Sequence, residues 1–312
     1  MAGMAEHPEL TPPRESPIPL EGLPLLPPLK LAVVGHVEMV TFLRVPQLPP
    51  AGSITRATEG MELPAGGGAV VAVQLAKLTG GPVAFFTALG RDRSGEQAAR
   101  DLEALGLEMH VAWREASTRR AVSWVDDQAE RTITVLGERL MPCAVDPLPW
   151  HLLEQVDGVF ITATDAAGVR LARGCPMLAA TPRVRWPVLL ESGVTLDALV
   201  GSALDPAEAI PLALQDVPAQ LTITTEAAAG CTALPDRGFS APRLVDPLVD
   251  AYGAGDSFAA GVTAGLSAGW SLAQAISLGS HCGAACLQGF GPYASQLNLR
   301  RSAGHGPAAM RT

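Results

Sequence analysis

The feature that most constrains the fold of this chain is a rhythm of short apolar runs ending near glycine, each followed by a helical pattern. KLAVVGH from Lys30 and PVAFFTALG from Pro82 read as buried parallel strands. Between them, after Gly66-Gly67-Gly68, AVVAVQLAKLTGG reads as a small-residue helix closed by glycines. GRDRSGEQAARDLEALG then supplies a helix with Leu102 and Leu105 on one face. The repeat predicts βαβ units and a mostly parallel sheet covered by helices. Later strands are expected in DGVFITA, RWPVLLES and AQLTITTE. Two stretches break the rhythm, near residues 37–63 and 118–137, where alternating residues and polar turns predict extra β segments able to pair as a small lid. In such open sheets the ligand crevice lies beyond the carboxyl ends of the strands.

With 312 residues, 48% of them apolar and 17% charged, the chain suits one large globular domain. A formal charge of −9 disfavours nucleic acid and anionic membrane as partners. No apolar stretch is long enough to span a bilayer. The cysteines at 143, 175, 231, 282 and 286 form no CxxC pair, and their odd number argues against a fully paired disulfide framework, so a cytoplasmic location is expected. Residues 1–29 are proline-rich and read as a flexible tail, residues 30–300 as the domain, and residues 301–312 as a second tail.

The chemistry concentrates in DAYGAGDSFAAG, Asp250 to Gly261. A glycine-lined start to an apolar helix presents free backbone N–H groups and the positive end of the helix dipole, which suits an anion from outside. Asp256 is then either the helix N-cap or a carboxylate kept there for chemistry. GAGD followed by Ser-Phe, with a further aspartate six residues upstream, resembles the C-terminal signature of the ribokinase-like PfkB carbohydrate kinase family. The resemblance runs from about Lys30 to Tyr293 and includes the glycine turn, TALGRDRSGE and DDQAERTI in order. It implies a three-layer αβα core with a β lid, and transfer of the γ-phosphoryl of ATP to a hydroxyl. Asp256 would be the base, and the N–H groups around Gly253, Ala254 and Gly255 the anion hole. Preorganised dipoles meeting phosphoryl charge beside a proton acceptor make physical sense of that arrangement.

The same resemblance implies Mg²⁺ near Asp205 and Glu208, where Asp-Pro-Ala-Glu stands for the family's Asn-x-x-Glu, and a monovalent cation such as K⁺ beside Asp250. Capping of a surface helix is the competing reading of Asp205 and Glu208, and a turn carboxylate that of Asp250. Thr224 and His281 are the expected nucleotide contacts, although Glu226 stands where glycine is usual and His281 suits a core position equally. Gly66, Gly67 and Gly68 are candidate acceptor contacts, with simple helix entry as the competing reading; Glu38 and His36, which follow the same strand end, could supply polar acceptor contacts, with an exposed-loop role as the alternative. Val40 and Val70 occupy places where sugar kinases of the family usually carry polar contacts, which leaves the acceptor open. Arg91, Asp92 and Arg93 read as a structural loop, and Trp113 and Trp124 as packing residues. A sugar, sugar derivative or nucleoside kinase is expected, with a low-turnover nucleotide-binding or metabolite-sensing protein as the alternative, and a homodimer through the lid is possible.

Overall fold

The computed structural model describes residues 14–208, 219–234 and 237–299. The chain opens with β1 (Leu31–Val34), β2 (Glu38–Arg44) and β3 (Glu59–Ala65), then α1 (Gly67–Thr79), β4 (Val83–Gly90), α2 (Arg93–Ala104) and β5 (Leu107–Arg114). It continues through β6 (Arg120–Val125), β7 (Arg131–Leu136), β8 (Gly158–Ile161), α3 (Ala166–Ala172), β9 (Met177–Ala180), α4 (Trp186–Ser192) and β10 (Leu196–Ser202). β11 (Ala219–Thr225), β12 (Cys231–Leu234), β13 (Arg237–Phe239), α5 (Ala254–Ser267) and α6 (Leu272–Cys286) complete it.

Among the described residues these strands form a nine-stranded sheet, β13-β12-β11-β10-β9-β8-β1-β4-β5, and a four-stranded sheet, β3-β2-β6-β7. In the large sheet only the β11-β12-β13 edge is antiparallel. Strand side chains alternate between faces, so Leu31 and Val33 join the cluster with α1, α2, α5 and α6, while Ala32 and Val34 join the cluster with α3 and α4. The result is the expected helix–sheet–helix sandwich. The small sheet is mostly antiparallel and stands beside the carboxyl ends of the core strands.

Two sequence expectations change. RWPVLLES is not a strand: Pro187 lies in the first turn of α4, where its missing N–H is harmless, and Gly193 closes the helix at φ 63. A four-residue apolar run fits helix and strand alike, and the strands on either side of it are Met177–Ala180 and Leu196–Ser202. Residues 14–29, expected as part of a flexible tail, lie against the domain. Glu15 exchanges backbone hydrogen bonds with Gly238 and Ser240, and Ile18 N–H donates to Ser277 Oγ. Leu20, Leu23, Leu26 and Leu29 pack on the core. Residues 1–13 and 300–312 lie outside the described residues.

The site is positioned by close helix contacts. A Cβ on Gly261 of α5 would stand 2.6 Å from Gly279 Cα of α6, and a Cβ on Gly253 would stand 3.0 Å from Val70 Cγ1 of α1. Small residues at these crossings let α1, α5 and α6 approach nearly backbone to backbone.

Candidate active site

α5 begins without a side-chain cap: its N-cap is Gly253, at φ 80, ψ 3. Glycine reaches that left-handed backbone without penalty. Asp256 is therefore not the cap. It stands in the first turn, beside N–H groups of Ala254 and Gly255 that precede the first intrahelical hydrogen bond, Ser257 N to Gly253 O at 2.8 Å. A Cβ at Gly255 would meet nothing within 4 Å, so this face is open to a ligand. Burial pushes the Asp256 carboxyl above the usual carboxylate range, against the opposing pull of Arg183 and Arg131.

The glycine turn forms a floor running away from Asp256, and each glycine has its own reason. A Cβ on Gly67 would stand 2.9 Å from Asp256 Oδ1. Gly68 fits against the β1 end, where a Cβ would be 2.7 Å from His36 O. Gly66 has φ 89, and its missing Cβ faces the His36 ring and Glu38 Cγ at 3.2–3.3 Å. Tyr252 ties this floor to the start of α5: its hydroxyl accepts Gly66 N–H at 3.2 Å and donates to Glu38 Oε1 at 3.5 Å.

Glu38 heads β2 and is buried rather than placed on an exposed loop. Burial raises its pKa, while Arg119, with Nε 3.2 Å from Glu38 Oε2, acts in the other direction. His36 is buried too; desolvation, with Arg139, Arg119 and Arg183 nearby, pushes it down to about 3, so its imidazole is neutral. Val40 is fully buried, and Val70 packs under Gly253.

Asp205 and Glu208 do not open a helix within the described residues. They sit in a turn after β10, where Ala207 N–H donates to Asp205 Oδ1 at 2.9 Å. Both carboxylates close on the Arg183 guanidinium, which follows β9 and also feels the charge of Asp256. Two adjacent carboxylates match the hard-oxygen preference of Mg²⁺, which keeps much of its water shell, so this pair fits that ion in donor chemistry. Asp250 is fully buried; Oδ1 accepts from Tyr252 N–H at 2.8 Å and Oδ2 from Gly291 N–H at 2.9 Å. A single carboxylate engaged at both oxygens does not by itself fit a cation cage.

Of the expected nucleotide contacts, Thr224 lies in β11, between Gly201 and Thr232 on the neighbouring strands. Glu226, just beyond it, binds Thr232 Oγ1 and pairs with Arg14. His281 Nε2 is 2.8 Å from the Ile18 carbonyl oxygen and donates to it. Residues 14–18 thus lie across the two elements that carry these candidates.

Asp92 caps α2 through Gly95 N–H and also accepts from Thr118 N–H and Oγ1, as a structural loop residue does. Sequence reasoning missed Tyr252 and the arginines at 119, 131, 139, 183 and 185. The doublet of arginines in TPRVRWP and the arginine after the lid in LGERL were the signals available.

Over most of the chain the backbone follows that of the ribokinase-like α/β kinases. Similar solved structures include ribokinase from Thermotoga maritima, at TM-score 0.70 and 19% identity, covering 88% of this chain and 98% of that one. Arabidopsis thaliana ribokinase complexed with ribose and ATP gives TM-score 0.69 at 19% identity over 88% and 97% of the two chains. Adenosine kinase from Sinorhizobium meliloti gives 0.70 at 19% over 89% and 99%. At these identities the likeness is one of fold. No curated protein sequence matches the chain. The profile of the pfkB family carbohydrate kinase matches residues 28–174 and 195–298, most of the chain, which therefore belongs to that family of phosphotransferases.

Proposed function

We propose that the chain moves the γ-phosphoryl of ATP to a hydroxyl of a small metabolite: a sugar, a sugar derivative or a nucleoside. The observation that carries this reading is Asp256, held in the first turn of α5 between an open glycine face and the glycine floor at Gly67. The N–H groups at Gly253, Ala254 and Gly255 meet phosphoryl charge without reorganising, and the Asp256 carboxylate accepts the acceptor's proton. Its raised pKa makes it a better base than an exposed aspartate. Asp205 and Glu208 would hold Mg²⁺ through its water shell; bound there, the ion would screen charge on the nucleotide phosphates. Arg183 orients that carboxylate pair. Thr224 and His281 stand on the nucleotide side, and no step is assigned to K⁺ or to Asp250 beyond holding the turn.

A homodimer is compatible with the lid, because edge strand β7 exposes all six residues, with Ile133, Val135 and Leu136 40–53% exposed. The sensing alternative draws on residues 14–18, which engage Glu226 and His281. Coupled ADP release with Mg-ATP over pentoses, hexoses, phosphosugars and nucleosides separates the two. Saturable, acceptor-dependent turnover supports the kinase. Tight ATP binding by titration with no acceptor-dependent turnover favours the sensor.

A further inference from the structure

The acceptor end of the crevice carries positive charge that the chain does not balance. Arg119 and Arg139 come from the two margins of the lid, just before β6 and just after β7, while Arg183 and Arg185 come from the turn between β9 and α4. Their partners can be followed one by one. Arg183 is taken by Asp205 and Glu208, and Arg119 faces Glu38. Arg139 and Arg185 have no carboxylate within ion-pair distance among the described residues. The hydrogen bond of the Arg139 guanidinium goes instead to the Arg183 carbonyl oxygen, at 3.1 Å. Arg139 is partly buried, and desolvation together with Arg185, Arg119 and Arg183 depresses its pKa, with Glu38 as the opposing influence. A guanidinium presents five N–H donors, so most of those on Arg139 remain for a ligand.

The backbone adds a second sign. Arg185 stands at φ 80, ψ 132, a backbone conformation that strains any residue with a side chain. His36, which feels the charge of Arg139, Arg119 and Arg183, is buried with Nδ1 lacking a hydrogen-bond partner among the described residues. Because it is neutral, it adds no further repulsion to an already crowded group of cations.

The glycine floor links this charge to Asp256. Gly67 lies against Asp256, and the next residue, Gly66, lies against His36 and Glu38. Their Cα atoms are about 3.8 Å apart. A small molecule lying on this floor would meet the base at one end and the arginines at the other. Val40 and Val70 offer no polar atom to a neutral sugar hydroxyl, and of the polar side chains on the floor Glu38 is already engaged by Tyr252 and Arg119. Deepening the phosphotransferase reading, on which the inference rests, we propose that the acceptor carries an anionic group, carboxylate or phosphate, besides the hydroxyl presented to Asp256, and that Arg139, with Arg119 and Arg185, receives that group.

The test pairs each neutral sugar with its anionic counterparts: ribose with ribonate and ribose 5-phosphate, fructose with fructose 6-phosphate, and glucose with gluconate. Binding is read by calorimetry and turnover by ADP release, in wild type, Arg139→Ala, Arg139→Lys and Asp256→Asn. The expected result is that an anionic member binds and turns over in preference to its neutral parent. Arg139→Ala should lose on the order of 100-fold in kcat/KM for that acceptor, and Arg139→Lys less. ATP affinity should stay the same. The melting temperature of Arg139→Ala should not fall, because the substitution relieves like-charge crowding, whereas a purely structural arginine would lower it. The carboxylate and phosphate arms identify which anion is read. A neutral sugar turned over as well as its anionic forms overturns the inference and leaves the kinase standing. Arg139-dependent anion binding without Asp256-dependent turnover keeps the anion subsite and overturns the kinase. No anionic member binding better than its parent overturns the inference outright.

Discussion

Gly67 and Gly68 are neighbours in sequence, yet an added methyl group should harm the protein in opposite ways. At Gly67 the backbone lies outside the left-handed region, so alanine is permitted. Its Cβ would stand 2.9 Å from Asp256 Oδ1, 3.6 Å from Asp256 Cγ and 3.7 Å from Thr162 Cγ2. The clash falls on the tip of a side chain that can turn away. Folding should therefore be spared, with Gly67→Ala within about 1 kcal/mol of wild type. The proposed base, however, is displaced, and misplacing a catalytic group by ~1 Å costs about 100-fold in rate. A fall in kcat of roughly 10- to 100-fold is expected. At Gly68 the Cβ would meet backbone: His36 O at 2.7 Å, His36 N at 3.0 Å and Gly35 C at 3.1 Å. Those atoms cannot step aside, so Gly68→Ala should cost about 1–3 kcal/mol or more. Thermal melting and steady-state turnover of both variants check this. Wild-type kcat in Gly67→Ala, or a melting loss there equal to that of Gly68→Ala, would refute the placement of Asp256 against the floor.

Further expectations concern charge and packing. As the proposed base, Asp256 must be ionised, and because burial raises its pKa, activity should fall as pH drops through a value above the ordinary aspartate range, and Arg183→Gln, by removing a cation that lowers that pKa, should move this limb to higher pH. A raised folded-state pKa also means that the charged form costs stability once pH exceeds the unfolded value, so Asp256→Asn should melt no lower than wild type at neutral pH. Asp250→Ala leaves the Tyr252 and Gly291 N–H groups buried without their acceptor and should cost about 2–5 kcal/mol in denaturant unfolding. Deleting residues 1–29 removes the leucines packed on the core and the Ile18 contacts to α6, and should cost roughly 2–5 kcal/mol by the same measurement.

The parallel core was legible because its signals are local: apolar runs ending at Gly35 and Gly90, and helices closed by glycine at Gly80. Asp256 and its glycine entrance were legible for the same reason, since one continuous stretch carries them. RWPVLLES misled because four apolar residues carry no period, and Pro187 reads equally as strand end or helix start. The docking of residues 14–29 depends on Gly238, Ser277 and His281, more than two hundred positions away, and no local pattern reports it. The arginine cluster was hidden similarly. Each of its members sits in an ordinary polar loop, and only the convergence of the lid margins with the β9–α4 turn brings them around His36. Glu38 illustrates the point from the other side: its sequence position fitted an exposed loop, whereas strand pairing with Ala65 buries it beside Arg119.

The central claim, that Asp256 is the base of a phosphotransfer site, is tested most directly by single-turnover phosphoryl transfer from Mg-ATP in wild type and Asp256→Asn, with ATP affinity measured alongside. The account predicts a loss of about 100- to 10,000-fold in the transfer rate with ATP affinity within a few-fold of wild type. Transfer by Asp256→Asn within tenfold of the wild-type rate would contradict it.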